Sequence, residues 1–178
     1  MERTPQQLLA DSELILSEDQ VGRAIEALAL DITREMSGSS PLVLCVMTGG
    51  LYLAGALLPR LSFPLTLDYV HATRYRGRVQ GEEVVWLAEA HTQVVGRHVL
   101  LVDDILDEGH TLAAIRERLM SQGALGVRVA VLVEKVLPRA KPIVADFVGL
   151  QVPDRYVFGC GMDVYGWWRN LPGVWALK

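Results

Sequence analysis

Residues 100–111 read Leu-Leu-Val-Asp-Asp-Ile-Leu-Asp-Glu-Gly-His-Thr, and they narrow the choice of fold more than any other stretch. An apolar run of strand type, residues 99–102, ends in two adjacent acids, Asp103 and Asp104; a third, Asp107, follows. On a plain strand the first two would point to opposite faces, and burying an unpaired carboxylate is costly. A glycine turn then leads to Thr111, where a helix pattern begins. Its apolar face is Leu112, Ile115 and Leu119, opposite Arg116, Glu117 and Arg118. Strand, acids, turn and helix start are the arrangement in which open α/β sheets hold ligands, at the carboxyl ends of their strands. The acids suit sugar hydroxyls or a Mg²⁺-bound ligand, and the turn with the helix start suits a phosphate. Two acids before a glycine turn also occur in plain solvated loops. The strand before them and the helix after them favour a site.

The same alternation of strand and helix runs through the chain. Ser17 and Gln20 form a capping box ahead of Val21, Ile25, Leu28, Ile32 and Met36, which share one helical face. Residues 37–41, Ser-Gly-Ser-Ser-Pro, end that helix, and residues 42–47 read as a strand buried on both faces. Gly49 and Gly50 lead to a helical segment over residues 51–58, which Pro59 stops. Residues 65–73 and 84–88 read as a strand pair joined by a charged, glycine-containing loop, residues 74–83. Gln122 and Gly123 end the helix that follows the acids. Residues 127–133 are a further buried strand, and 146–152 and 155–158 are short ones. The predicted fold is α/β: a mostly parallel twisted sheet flanked by helices. The expected organisation is one domain over residues 1–178, with a small hood from about residues 1–15 and 140–178.

With 51% hydrophobic and 21% charged residues, the chain has a globular composition. Its net charge of −4 argues against a general nucleic-acid binder. Cys45 and Cys160 lie in apolar contexts, as buried thiols of a reducing compartment do. The first nine residues lack a signal-peptide pattern, and no apolar run reaches the roughly 18 residues of a membrane span. The expected location is cytoplasmic, with no membrane or nucleic-acid partner.

The segment 100–111 resembles the phosphoribosyl-pyrophosphate signature of the type I phosphoribosyltransferases, and further matches extend the resemblance from about residue 42 to 171. It implies that Asp103 and Asp104 hold the ribose hydroxyls. The turn Asp107, Glu108, Gly109, His110 and Thr111 would hold the 5′-phosphate through N–H groups and a hydroxyl, with the Glu108 side chain turned to solvent. An acid at Asp107 resembles the members that act on 6-oxopurines, where it lies near N7 and accepts a proton. By itself Asp107 also reads as a helix cap.

Lys135, at the end of Val-Leu-Val-Glu-Lys, resembles the lysine that hydrogen-bonds the purine 6-oxo group; standing alone it reads as a surface lysine. Residues 153–159, Pro-Asp-Arg-Tyr-Val-Phe-Gly, resemble the base-binding strand. There Tyr156 would stack on the purine and Val157 would meet its edge through backbone. Tyr156 reads equally as a core or hood aromatic, and that is the reading for Trp167 and Trp168. Asp163 resembles an acid that reaches Mg²⁺ directly or through water, with Asp103 and Asp104 as further metal-side acids, and Arg169 an arginine that contacts pyrophosphate.

Residues 46–50, Val-Met-Thr-Gly-Gly, resemble the pyrophosphate loop, with Thr48 where many members have lysine. Thr48 and Gly49 would bind pyrophosphate by hydroxyl and N–H, and a strained or cis Met47–Thr48 peptide is implied. The lid over residues 74–83 carries Arg74 and Tyr75 where a Ser-Tyr pair is common, and Arg74, Arg76 and Arg78 are expected to restore part of the missing charge. The resemblance therefore implies a Mg²⁺-dependent purine-salvage enzyme that joins hypoxanthine or guanine to phosphoribosyl pyrophosphate, as a homodimer or homotetramer. Alternatives are a xanthine-preferring transferase and a phosphoribosyl-pyrophosphate-sensing regulator of the same fold; adenine is disfavoured by Lys135.

Overall fold

A computed structural model describes residues 3–74 and 84–178. The chain begins with α1 (Pro5–Ala10), β1 (Ser12–Leu16) and α2 (Glu18–Met36). Ser17 caps α2 as its sequence predicts: its hydroxyl accepts from the Gln20 N–H at 3.3 Å, and Gln20 Oε1 accepts from the Ser17 N–H at 2.9 Å. β2 (Leu42–Val46) is buried along its whole length. It leads to α3 (Leu51–Leu57), which tightens into a 3₁₀ turn at Leu58–Arg60 around Pro59.

There follow β3 (Thr66–Arg74), β4 (Val84–Ala88), β5 (His98–Leu106), α4 (His110–Ser121), β6 (Gly126–Lys135), β7 (Phe147–Val152), β8 (Val157–Phe158) and β9 (Val174–Leu177). Six strands form the main sheet in the order β4-β3-β2-β5-β6-β7. All neighbours run parallel except β3 and β4, which pair antiparallel.

Alternating side chains divide the core between the two faces of the sheet. Val43, Cys45, Leu100, Val102, Ala130 and Leu132 pack under α2 and α3. Leu42, Leu44, Val46, Leu101, Val129 and Val131 pack under α4 through its Leu112, Ile115 and Leu119. Each valine or leucine side chain so removed from water contributes about 1.5–3 kcal/mol before entropy is counted. Both cysteines are buried free thiols, and burial pushes each up to about 11.

The hood is a separate three-stranded sheet, β1-β9-β8, that joins the two ends of the chain by pairing Ser12 with Leu177. Neither α1 nor β9 is predicted from the sequence, and β1 extends the expected N-terminal hood by one residue to Leu16. Phe147–Val152, expected in the C-terminal hood, instead form β7 at the edge of the main sheet because they pair in parallel with β6. β5 also runs four residues past its apolar run, so the acids lie within the strand rather than after it.

Candidate active site

β5 carries its acids between two other strands, and that sets their environment. Asp103 is half-buried opposite Val131 of β6, and Asp104 is 8% exposed. The Asp104 N–H donates to Asp103 Oδ1 at 2.9 Å. The loop after β2 presses directly on this pair, and its Met47–Thr48 peptide is cis. A Cβ on Gly49 would lie 1.9 Å from Asp104 Oδ2, and one on Gly50 would lie 2.5 Å from the Val102 carbonyl oxygen. From the C-terminal side, a Cβ on Gly161 would lie 2.2 Å from the Gly49 carbonyl oxygen. Three glycines, two in the loop after β2 and one in the C-terminal segment, thus let two segments converge on the carboxylates of β5. Burial pushes both carboxyls upward, and the charge of Asp104 pushes Asp103 further; the Arg169 guanidinium opposes the shift at both.

Past Leu106 the chain turns through Asp107, Glu108 and Gly109 into α4. Gly109 is the N-cap residue, at φ +85°, and no side chain caps the helix. Asp107 is therefore not the N-cap residue, and Gly109 has no side chain with which to cap α4, as suits an anion-binding helix start. The Asp107 carboxylate instead accepts from Lys135 Nζ at 2.8 Å. Lys135 is 8% exposed at the end of β6, so it is not a surface lysine. The Glu108 carboxylate pairs with Arg139.

These elements wall a cleft of about 360 Å³. Its sides are residues 46–49, 71–73 and 103–105, the turn and helix start 107–112, and Arg169. Thr48, Gly49, Asp103, Asp104, residues 107–111 and Arg169 are thereby brought together, as the motifs imply. His71 and Thr73 of β3 complete a wall that sequence reasoning missed. Their only trace is an alternation with buried Val70 and Ala72 on a strand whose place beside β2 no local pattern reveals.

Lys135, Tyr156, Val157 and Asp163 do not line this cleft. Lys135 stands behind Asp107, and Val157 is buried in β8 opposite Ala176. Tyr156 is half-exposed, with its ring stacked on Tyr165 at 6.1 Å between centroids. Asp163 reaches the cleft through Arg169: its Oδ1 lies 2.6 Å from Arg169 Nη2, and its Oδ2 accepts from the Gly166 N–H at 2.8 Å. Arg169 Nη1 donates to the Gly161 carbonyl at 2.7 Å, which holds the guanidinium in place. Trp167 is exposed in the hood, and the indole N–H of Trp168 donates to the Pro5 carbonyl at 2.7 Å. Arg74 ends β3 opposite Val84; its side chain, with Tyr75, Arg76 and Arg78 of the expected lid, lies outside the described residues.

Among the described residues no three His, Cys, Asp or Glu side chains cluster as a self-sufficient metal site. Asp103 and Asp104 are nevertheless hard oxygen donors whose charged form burial disfavours, so they fit a Mg²⁺ ion whose remaining ligands are substrate and water.

A phosphoribosyl transferase domain model matches residues 12–165. The chain is 31% identical over 167 residues to a hypoxanthine-guanine phosphoribosyltransferase of Bacillus subtilis, covering 93% of each protein. It is 34% identical over 167 residues, 93% of its length, to a bifunctional protein TilS/HprT of Listeria innocua, of which it spans about a quarter (26%). Its fold is similar to a crystal structure of a hypoxanthine phosphoribosyltransferase from Staphylococcus aureus, with TM-score 0.88 and 26% identity over 99% of this chain and 97% of that one.

Proposed function

We propose the reaction of this protein from one premise: the chain belongs to the phosphoribosyl transferase domain family. The reaction is transfer of the 5-phosphoribosyl group from phosphoribosyl pyrophosphate to N9 of hypoxanthine or guanine. The products are IMP or GMP and pyrophosphate, and the role is purine salvage. The observation that carries this reading is the Asp107–Lys135 pair, 2.8 Å apart, which joins the end of the strand that bears the two acids to the end of β6.

Asp107 stands where the base meets C1 of the ribose and accepts the proton as N9 attacks. Lys135 has donors and no acceptor, so it selects a 6-oxo group. Adenine's 6-amino group offers this buried ammonium no acceptor, so a donor that a 6-oxo base would satisfy stays unmet, which is costly. Tyr156 stacks on the base and the Val157 backbone meets its edge.

Asp103 and Asp104 accept from the ribose hydroxyls and favour the positive charge that develops on the ring. The uncapped start of α4, from Gly109 to Thr111, holds the 5′-phosphate. Thr48, Gly49 and Arg169 hold the pyrophosphate. Asp103 and Asp104, with Asp163, would hold Mg²⁺, which would supply neutralising charge for the leaving group. The protein's own contribution is alignment of N9 with C1 in a cleft that excludes water.

The proposed setting is a cytoplasmic enzyme made of one domain, with the hood, assembled as a homodimer or homotetramer. Among the described residues no helix is long and apolar enough to cross a membrane.

A spectrophotometric assay with Mg²⁺, phosphoribosyl pyrophosphate and each of hypoxanthine, guanine, xanthine and adenine tests the reaction. Turnover of hypoxanthine and guanine is expected. Asp107→Asn should lower kcat by roughly 10²-fold or more. Preference for adenine or xanthine would overturn the substrate assignment, and turnover of no base would overturn the reaction.

A further inference from the structure

Lys141 is a second, partly buried lysine beside the Asp107–Lys135 pair, and the proposed reaction leaves it without a role. Its side chain is 9% exposed, and its ammonium makes three contacts. It donates to the Lys135 carbonyl at 2.6 Å, to the Leu106 carbonyl at 3.1 Å and to Glu134 Oε1 at 3.1 Å. Burying an ammonium is costly unless its donors are satisfied, and here all three are.

The positions of these acceptors matter more than their number. Leu106 and Glu134 are the last paired residues of β5 and β6. Asp107 and Lys135 each stand one residue beyond that pair, where β5 turns away and β6 continues against Val152 of β7. The β5–β6 ladder therefore holds neither residue against the other. Beside the side-chain contact of Asp107 with Lys135, Lys141 supplies a tie between the two backbones, because one ammonium bridges the carbonyl just before Asp107 and the carbonyl of Lys135 itself.

We infer that Lys141 is a positioning residue for purine recognition: it locks the backbone under Asp107 to the backbone under Lys135. It thereby sets the separation at which the proton acceptor and the 6-oxo donor meet one base. The inference rests on the proposed reaction. Sub-ångström placement of such groups governs affinity and rate together. None of the hydrogen bonds of Lys141 goes to the two acids of β5 or to the start of α4, so it bears on the base rather than on phosphoribosyl pyrophosphate.

The test compares Lys141→Met, which keeps length and apolar bulk, with Lys141→Arg, which restores a cation. KM for hypoxanthine, KM for phosphoribosyl pyrophosphate, kcat and Tm are measured for each beside the wild type. Lys141→Met should raise KM for hypoxanthine by roughly tenfold or more, leaving KM for phosphoribosyl pyrophosphate within about twofold. Lys141→Arg should recover most of the loss. An unchanged KM for hypoxanthine overturns the inference. So does a parallel rise in both constants with a fall in Tm, which would make Lys141 a fold anchor alone. If Lys141→Met does not fold, Glu134→Gln decides: it loosens the ammonium without removing it, and the same selective rise, smaller in size, is expected, whereas no rise overturns the inference. A wild type that turns over no base defeats the proposed reaction instead, so the two failures are distinct.

Discussion

Gly49 has no side chain because the carboxylate of Asp104 occupies the space one would need. A Cβ there would lie 1.9 Å from Oδ2, 2.5 Å from the carboxyl carbon and 2.9 Å from Oδ1, so rotation of the carboxylate alone relieves nothing. Gly49→Ala should displace either the loop after β2 or the acid. The expected outcome is a loss of kcat/KM for phosphoribosyl pyrophosphate of roughly 10²-fold, of the size that misplaced groups produce. Steady-state kinetics with varied phosphoribosyl pyrophosphate checks it, and wild-type kinetics would mean that the loop does not hold this ligand. At this scale the sequence is legible wherever chemistry is local. Asp103, Asp104, Asp107 and Thr111 sit together because their spacing already places them on one strand end and one helix start. The contacts of Gly49 with Asp104 and of Gly161 with Gly49 span long stretches of chain, and no local pattern encodes them.

At the scale of elements, the periodic signals translate directly into structure. The apolar face of α2 and its Ser17–Gln20 capping box are found as predicted, because both depend on residues within a turn of each other. Ser17→Ala should cost about 1 kcal/mol, the usual worth of a lost N-cap hydroxyl, with activity unchanged. Chemical denaturation reads the cost, and a loss near zero would show that the Gln20 contact suffices. Boundaries that depend on neighbouring strands were less legible. β5 continues through Asp103 and Asp104 because β6 pairs with it as far as Leu106, although the acids break the apolar run. β9 stays invisible in sequence because a four-residue strand is defined by its partners, β1 and β8, and not by its own pattern.

For the whole molecule, the two buried acids set a conflict between stability and binding. Both carboxyls are held above their ordinary value of 3.8. A carboxyl raised in the folded state stabilises the fold while protonated. That contribution is complete below the ordinary value and is lost as pH rises through the raised one. Ligand-free Tm should therefore fall as pH rises from about 4 toward neutrality, against any gain from other carboxylates. Asp104→Asn should flatten this part of the curve. At neutral pH it should raise ligand-free Tm by roughly 2–4 °C, the equivalent of about 1 kcal/mol in a chain of this size, while abolishing turnover. A thermal-unfolding series across pH decides it: a lower Tm for the variant at neutral pH would show that the pair is not under electrostatic load.

By itself the sequence determined the alternation of strands and helices, the acid-turn-helix segment and the residue types that phosphate, ribose and base require. These are encoded by periods of two and 3.6 residues and by neighbours within a turn. Only the tertiary structure decided which strands lie side by side, and hence that His71 and Thr73 wall the cleft. It also decided that Lys135 meets Asp107, that Arg169 brings Asp163 to the rim, and that the two chain ends close into one hood. Those contacts join residues distant along the chain. They arise when both faces of the sheet bury their apolar side chains, a condition that the whole chain satisfies and no single segment carries.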